Sequence, residues 1–147
     1  MACFPSAVLF ACTMNAIRSP IASGLMKMMH GTRVYVTSVG VHEGVQDGFA
    51  IKVMEEIGVD ISSHVPRTFD DLEDDSFDVI VSLSPEAQHK AVEMTRHMSC
   101  DVLFWNTFDP SLATGSWEER ADAYRRIRDE LEEKIYDAFP VRTVSHT

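Results

Sequence analysis

Apolar and polar positions along this chain fall into two alternating regimes. Short, nearly continuous apolar or β-branched runs occupy residues 7–11, 33–38, 77–83 and 101–105. Runs of that length bounded by polar residues read as buried strands. Between them the apolar positions recur at helical spacing. Residues 19–30 place Pro20 in a first turn and Gly31 after the end, with Ile21, Leu25, Met28 and Met29 on one face as core. Residues 47–57 start at a capping Asp47, turn Phe49, Val53 and Ile57 inward, and stop at Gly58. Ser84-Pro85 opens a third helix reaching about residue 97. Ser116-Trp117-Glu118-Glu119 is a capping box. It opens a long helix to about residue 139, with Trp117, Ala121, Tyr124, Leu131 and Ile135 facing the core and Asp122–Arg126 and Glu130–Lys134 as surface pairs. Residues 65–76 lack periodicity, and Asp70, Asp71, Glu73, Asp74 and Asp75 read as a solvated acidic run rather than a metal site. Strands alternating with helices predict an α/β fold: a four-stranded parallel sheet with helices on both faces, in a single domain spanning 1–147.

Composition narrows the function classes. The chain has 147 residues, 45% of them hydrophobic and 24% charged, enough for a real core. Three cysteines, an odd number, argue against a disulfide framework and for a reducing, cytoplasmic setting. The N-terminus lacks the basic region of a secretory signal. No run approaches the ~18 apolar residues of a membrane span. The net charge of −10 excludes nucleic acid and anionic lipid as partners. It also means that any anionic substrate needs a locally positive site. His30, His42, His89, His97 and His146 show no metal-ligand spacing, and neither a metal nor a cofactor is expected. The oligomeric state is not readable from the residues.

The chemistry concentrates in Cys12-Thr13-Met14-Asn15-Ala16-Ile17-Arg18-Ser19. This loop leaves the first strand and enters the first helix. Strand, tight loop and helix N-terminus together form an anion cradle of backbone N–H groups. Such a cradle and the Arg18 cation favour the thiolate of Cys12, and a thiolate facing a bound phosphate is a phosphoryl-transfer nucleophile. Asp109-Pro110 follows the fourth strand, so it belongs at the same carboxyl edge of the sheet, where ligands of such folds bind. Each residue also has a plainer reading. Asn15 and Ser19 suit helix caps, Asp-Pro is a common turn dipeptide, and a lone His64 is more often structural.

Taken as ordered blocks, the chain resembles the low-molecular-weight protein tyrosine phosphatases and the related thioredoxin-coupled arsenate reductases. The resemblance rests on the Cys12–Ser19 loop, Thr37-Ser38-Val39-Gly40, residues 58–64, residues 77–80 and Asp109-Pro110. It implies a flavodoxin-like four-stranded sheet. It further implies Cys12 as nucleophile, Arg18 as the bidentate grip on phosphoryl oxygens, Ser19 as stabiliser of the thiolate and Asp109 as general acid. It also implies that the amides of Thr13, Met14, Asn15, Ala16 and Ile17 bind phosphate and that Asn15 anchors a supporting network with Ser38 and His64. The implied activity is phosphomonoester hydrolysis through a phosphocysteine, on a phosphate monoester or a phosphotyrosine-containing substrate. Alternatives are a phosphate-binding module with weak turnover and an arsenate reductase-like redox enzyme.

Three positions depart from the family pattern. Met14 stands where the family usually has glycine, and a left-handed backbone there costs a non-glycine residue roughly 1–2 kcal/mol, so a strained or reshaped loop is expected. Ile17 replaces a second cysteine that many members carry, which removes a protective disulfide. Ser111-Leu112 follow Asp109-Pro110 in place of rim aromatics.

Overall fold

A computed structural model describes residues 4–73 and 76–141. Cys3, Asp74, Asp75 and His146 therefore lie outside the described residues. The chain runs β1 (Ala7–Cys12), α1 (Arg18–His30), β2 (Tyr35–Gly40), α2 (Gly48–Glu55), β3 (Val79–Ser82), α3 (Pro85–Met94), β4 (Asp101–Phe104) and α4 (Trp117–Ala138). The strands form one parallel sheet in the order β2-β1-β3-β4. The fold is thus the α/β, four-stranded parallel sheet that the alternating pattern predicts.

Every residue of β1 is buried, because this strand is central and covered on both faces. Its side chains alternate. Val8, Phe10 and Cys12 join Ile21, Leu25, Leu131 and Ile135 in one cluster under α1, α2 and α4. Ala7, Leu9 and Ala11 join Ile80, Ala87 and Ala91 under α3. A continuous apolar run without polar alternation is the signature of this position.

The helix boundaries follow their caps. Asp47 accepts from Ala50 N at 3.0 Å, Ser84 caps α3 from Ala87 N at 3.3 Å, and Ser116 with Glu119 completes the capping box of α4. Gly31 and Gly58 have φ of 58° and 79°, a backbone that suits glycine after a helix. Thr68 and Asp71 make a capping box around a short 3-10 turn, Phe69–Asp71, inside the stretch read as irregular.

Three expectations about faces need correction. Met26 is fully buried and Met28 is 44% exposed, the reverse of the single stripe expected on α1. α1 packs on the sheet and on α4 together, so its buried face is wider than one helical stripe. Trp117 is 52% exposed; it stands at the first turn of α4, with Lys52 Nζ 3.6 Å from its ring centroid. Asp122 pairs with Arg125 at 2.6 Å rather than with Arg126, whereas Glu130–Lys134 forms at 3.1 Å.

Arg125 makes that choice because it clamps α4 to α2. Its Nε lies 3.0 and 3.1 Å from the two Glu56 carboxylate oxygens and its Nη2 2.8 Å from Oε2. Arg128 adds Glu56 Oε1 at 2.9 Å and the Val53 carbonyl at 2.7 Å. The Arg125 hydrogen bonds hold the Glu56 carboxyl at about 2, with Arg128 assisting against partial burial. Since the folded value lies below the unfolded one, this contribution to stability is fully present above the ordinary value of 4.5 and is lost as pH falls toward 2. Glu56→Gln is expected to lower the urea midpoint at pH 7 and to flatten its decline below pH 4.5.

Candidate functional site

The strand-to-helix connection after β1 sits at the carboxyl edge of the sheet. Parallel strands end there with their carbonyls facing outward, and the segment from Thr13 to Ile17 bends over them before α1 begins. Ile17 occupies the N-cap position of α1 without a side-chain hydrogen bond. Neither Asn15 nor Ser19 caps the helix. Among the described residues, no backbone N–H from Thr13 to Arg18 donates to another group of the protein.

The carbonyls from Cys12 to Asn15 are all engaged. Val41 N donates to Cys12 O at 3.0 Å, His42 N to Thr13 O at 2.8 Å and Gly44 N to Met14 O at 2.9 Å. His64 Nε2 lies 2.9 Å from Asn15 O, and because a carbonyl only accepts, that nitrogen carries the proton. The loop therefore commits these acceptors to a ring of donors and leaves its own donors without a protein partner.

Asn15 is the pivot. Its φ is 53°, the one positive φ at a non-glycine among the described residues. Asparagine tolerates that conformation better than most side chains. The expected strain at Met14 is thus corrected: the left-handed residue is Asn15, and Met14 keeps an ordinary backbone. Asn15 Nδ2 donates to Ser19 Oγ at 2.9 Å and to Ser38 Oγ at 3.0 Å, while Oδ1 accepts from Arg67 N at 2.9 Å. The side chain is fully buried and fully partnered. Ser38 and His64 are both bonded to Asn15, the first through its side chain and the second through its carbonyl. Arg67 was not foreseen, because a backbone N–H has no sequence signature.

Cys12 is 2% exposed, and its Sγ lies 2.9 Å from Ser19 Oγ. Asn15 fills an acceptor position on that hydroxyl, which leaves the Ser19 proton free for the sulfur; Val39 O is more distant at 3.4 Å. Thr13 Oγ1 donates to Ser84 Oγ at 3.0 Å, tying the loop to the start of α3. Arg18 is 8% exposed and donates from Nη1 to Thr107 O at 3.0 Å. That contact joins the loop to the segment after β4, which carries Asp109.

A pocket of about 210 Å³ is lined by Cys12, Arg18 and Asp109 together. Met14, Ala16, Ile17 and Val45 supply apolar lining, so Met14 forms a wall of the mouth. Asp109 Oδ1 accepts from Ser111 N at 3.0 Å and Ser111 Oγ at 2.7 Å; the turn reading of Asp-Pro and its place at the pocket hold together. Asp47 lines the pocket too, with Oδ2 accepting from Tyr124 OH at 3.0 Å. Burial first, then the Asp47 charge, pushes the Tyr124 hydroxyl well above its ordinary range, so it remains a donor. The sequence reading treated Asp47 only as a cap and Tyr124 only as core. The available signal was that a buried tyrosine needs a hydrogen-bond partner.

Two glycines make room for this loop. A Cβ on Gly40 would stand 2.6 Å from Asn15 N and 2.7 Å from His42 O; one on Gly44 would stand 2.8 Å from Met14 O. Gly40→Ala is expected to cost about 1–3 kcal/mol of stability by urea unfolding. It also shifts the loop amides in an NMR spectrum. Gly48→Ala, with open space around it, changes neither.

Comparisons with known proteins establish the family and the fold. An arsenate reductase of Bacillus subtilis is 30% identical over 128 residues, covering 87% of this chain and 91% of that relative. The solved structure of an arsenate reductase in the phosphate binding state superposes with a TM-score of 0.77 at 25% identity, covering 91% of this chain and 96% of that one. A tyrosine phosphatase of Erwinia amylovora shares the fold, with a TM-score of 0.74 at 18% identity over 95% and 97% of the two chains. Residues 7–142 match the family model described as low molecular weight phosphotyrosine protein phosphatase, and the chain belongs to that family.

Proposed function

We propose that this chain hydrolyses phosphomonoesters through a covalent phosphocysteine on Cys12. The observation that carries the reading is the inverted loop: amides from Thr13 to Arg18 without protein partners, wrapped around a buried Cys12 Sγ. Converging N–H groups at a helix N-terminus are built to receive a multiply charged oxyanion. The Arg18 guanidinium has donors left over beyond its bond to Thr107 O, and its planar fork matches two phosphoryl oxygens.

In the first step Cys12 Sγ attacks phosphorus in line. The S–P bond forms, the P–O bond to the leaving group breaks, and Asp109 gives its proton to the departing oxygen. The Ser19 hydroxyl lies within hydrogen-bond reach of the sulfur, 2.9 Å away, as it attacks and again as it leaves. In the second step water attacks the phosphocysteine, Asp109 takes the water proton, and phosphate leaves. The apolar mouth formed by Met14, Ile17 and Val45 accepts an aryl or alkyl leaving group without selecting one.

Arsenate reduction is the second reading, favoured by the names of the 30% identical relatives. It requires two electrons, which a pair of thiols supplies on forming a disulfide. Cys100 does not suit that part. It precedes β4 at the amino edge of the sheet, whereas Cys12 ends β1 at the carboxyl edge. The register separates them by about 16 Å along the strands and about 10 Å across them, against the Cα separation of about 4–7 Å that a disulfide needs. Burial, with Asp101 and Asp78 nearby, also pushes the Cys100 thiol up and makes it a poorer nucleophile. Ser84 and Ala91, near β3 and on α3, offer no thiol. A reductase cycle on these residues would need an external thiol.

Hydrolysis of para-nitrophenyl phosphate from about pH 5 to 8 tests the reading. Cys12→Ser is expected to abolish turnover, and Asp109→Ala to lower kcat about 10²–10⁴-fold. Met14→Gly brings no gain, since Met14 is not the left-handed residue. Arsenate-dependent oxidation of thioredoxin or glutaredoxin stays at the Cys12→Ser background. No turnover in folded protein that still binds phosphate would replace hydrolysis with a binding role; Cys12-dependent arsenate reduction would replace it with the redox reading.

A further inference from the structure

A second polar cavity, of about 350 Å³, lies on the side of Asn15 that carries Ser38, His64 and Arg67. Lys27, Arg67, His64, Ser23, Thr37 and Ser63 line it, and no carboxylate does. In a chain of net charge −10 that is an unusual concentration of uncompensated positive charge. Neither Lys27 nor Arg67 takes part in an ion pair among the described residues. Arg67 commits one donor to Thr37 Oγ1 and keeps the rest of its guanidinium edge.

Ser23 adds a hydroxyl. The residue is 5% exposed, it lines the cavity, and its hydroxyl has no hydrogen-bond partner among the described residues, so it can donate to an acceptor that enters. His64 lines the cavity as well, with its Nε2 proton committed to Asn15 O. Burial first, and then Arg67 and Lys27, holds its titration below the ordinary histidine range. A larger cavity of about 570 Å³ shares Ser23, Lys27, Ser63 and His64 and continues over Gly24, Met28 and Ile61. Asp60 lines that outer part, with its carboxylate turned to Ser62 N at 2.8 Å and Ser62 Oγ at 2.5 Å.

We propose that this cavity is a second oxyanion site, separate from the Cys12 loop, which takes a sulfate- or phosphate-like group between Lys27, Arg67 and Ser23. The group is either a free inorganic anion or the head of an ester whose apolar body lies over Gly24, Met28 and Ile61. The site stands whether or not the Cys12 loop turns over substrate. Its occupant touches His64 and Arg67, the residues that hold Asn15, so binding there is linked to the state of the loop, and the linkage is reciprocal.

Amide NMR of the intact chain, titrated with sodium sulfate and separately with benzenesulfonate, tests the proposal. Residues 23, 27 and 63–67 are expected to give a saturating curve distinct from that of residues 13–18. Lys27→Gln weakens the first curve about tenfold and leaves the second nearly in place, and Ser23→Ala weakens the first several-fold. Arg18→Ala removes the loop curve and leaves the cavity curve. Tighter binding of benzenesulfonate than of sulfate assigns an ester head; equal binding assigns a free anion. A single dissociation constant for both sets of residues in every variant overturns the second site, as does an absence of shifts at residues 23, 27 and 63–67.

Discussion

Asn15 reverses the chain through a left-handed turn, and every hydrogen-bonding group of its side chain is committed to a different part of the fold. One amide proton holds Ser19 on α1, the other holds Ser38 on β2, the side-chain oxygen receives Arg67, and the main-chain oxygen receives His64. This arrangement allows a loop to point its N–H groups at one spot. Buried carbonyls turned the other way must find donors or incur a cost of about 1–3 kcal/mol each. Val41, His42, Gly44 and His64 are those donors. The environment of Cys12 is therefore made as much by the chain outside the loop as by the loop itself.

The scaffold brings its own contribution to the pocket. The Glu56 clamp sets α2 against α4. With α2 in place, Asp47 at its start lies within reach of the buried Tyr124 on α4, and both stand beside the pocket wall that holds Asp109. Arg18 reaches across to Thr107 O and ties the same wall to the loop. Helix packing on one face of the sheet and the geometry at its carboxyl edge are thus mechanically continuous.

Much of this was legible in the residues. β1 reads as a strand because a central parallel strand is apolar on both faces, and α4 begins at Ser116 because the capping box is a local signal. Cys12, Arg18 and Asp109 come together because the fold class alone sends strand ends to one edge. The failures share a cause. Met26 replaced Met28 in the core, and Arg125 captured Asp122, because partners on other helices decided the outcome. Arg67, Thr107 and the Asp47–Tyr124 bond act through main-chain groups or distant pairings that no local spacing encodes. Met14 misled for a subtler reason: the left-handed turn of the loop falls one residue later, at Asn15.

The bond from Arg18 to Thr107 spans 89 residues, that from Thr13 to Ser84 spans 71, and that from Arg67 to Asn15 spans 52. Contacts so far apart in the chain close late in folding, after the loop-closure entropy of the whole sheet has been overcome. A nascent or half-folded chain then carries Cys12 without the Ser19 hydroxyl beside it or the Arg18 contact that ties its loop to the segment after β4. The burial of Cys12, to 2% exposed, becomes a reporter of complete folding: protection from a thiol reagent should track the final assembly of the molecule and not its earlier collapse.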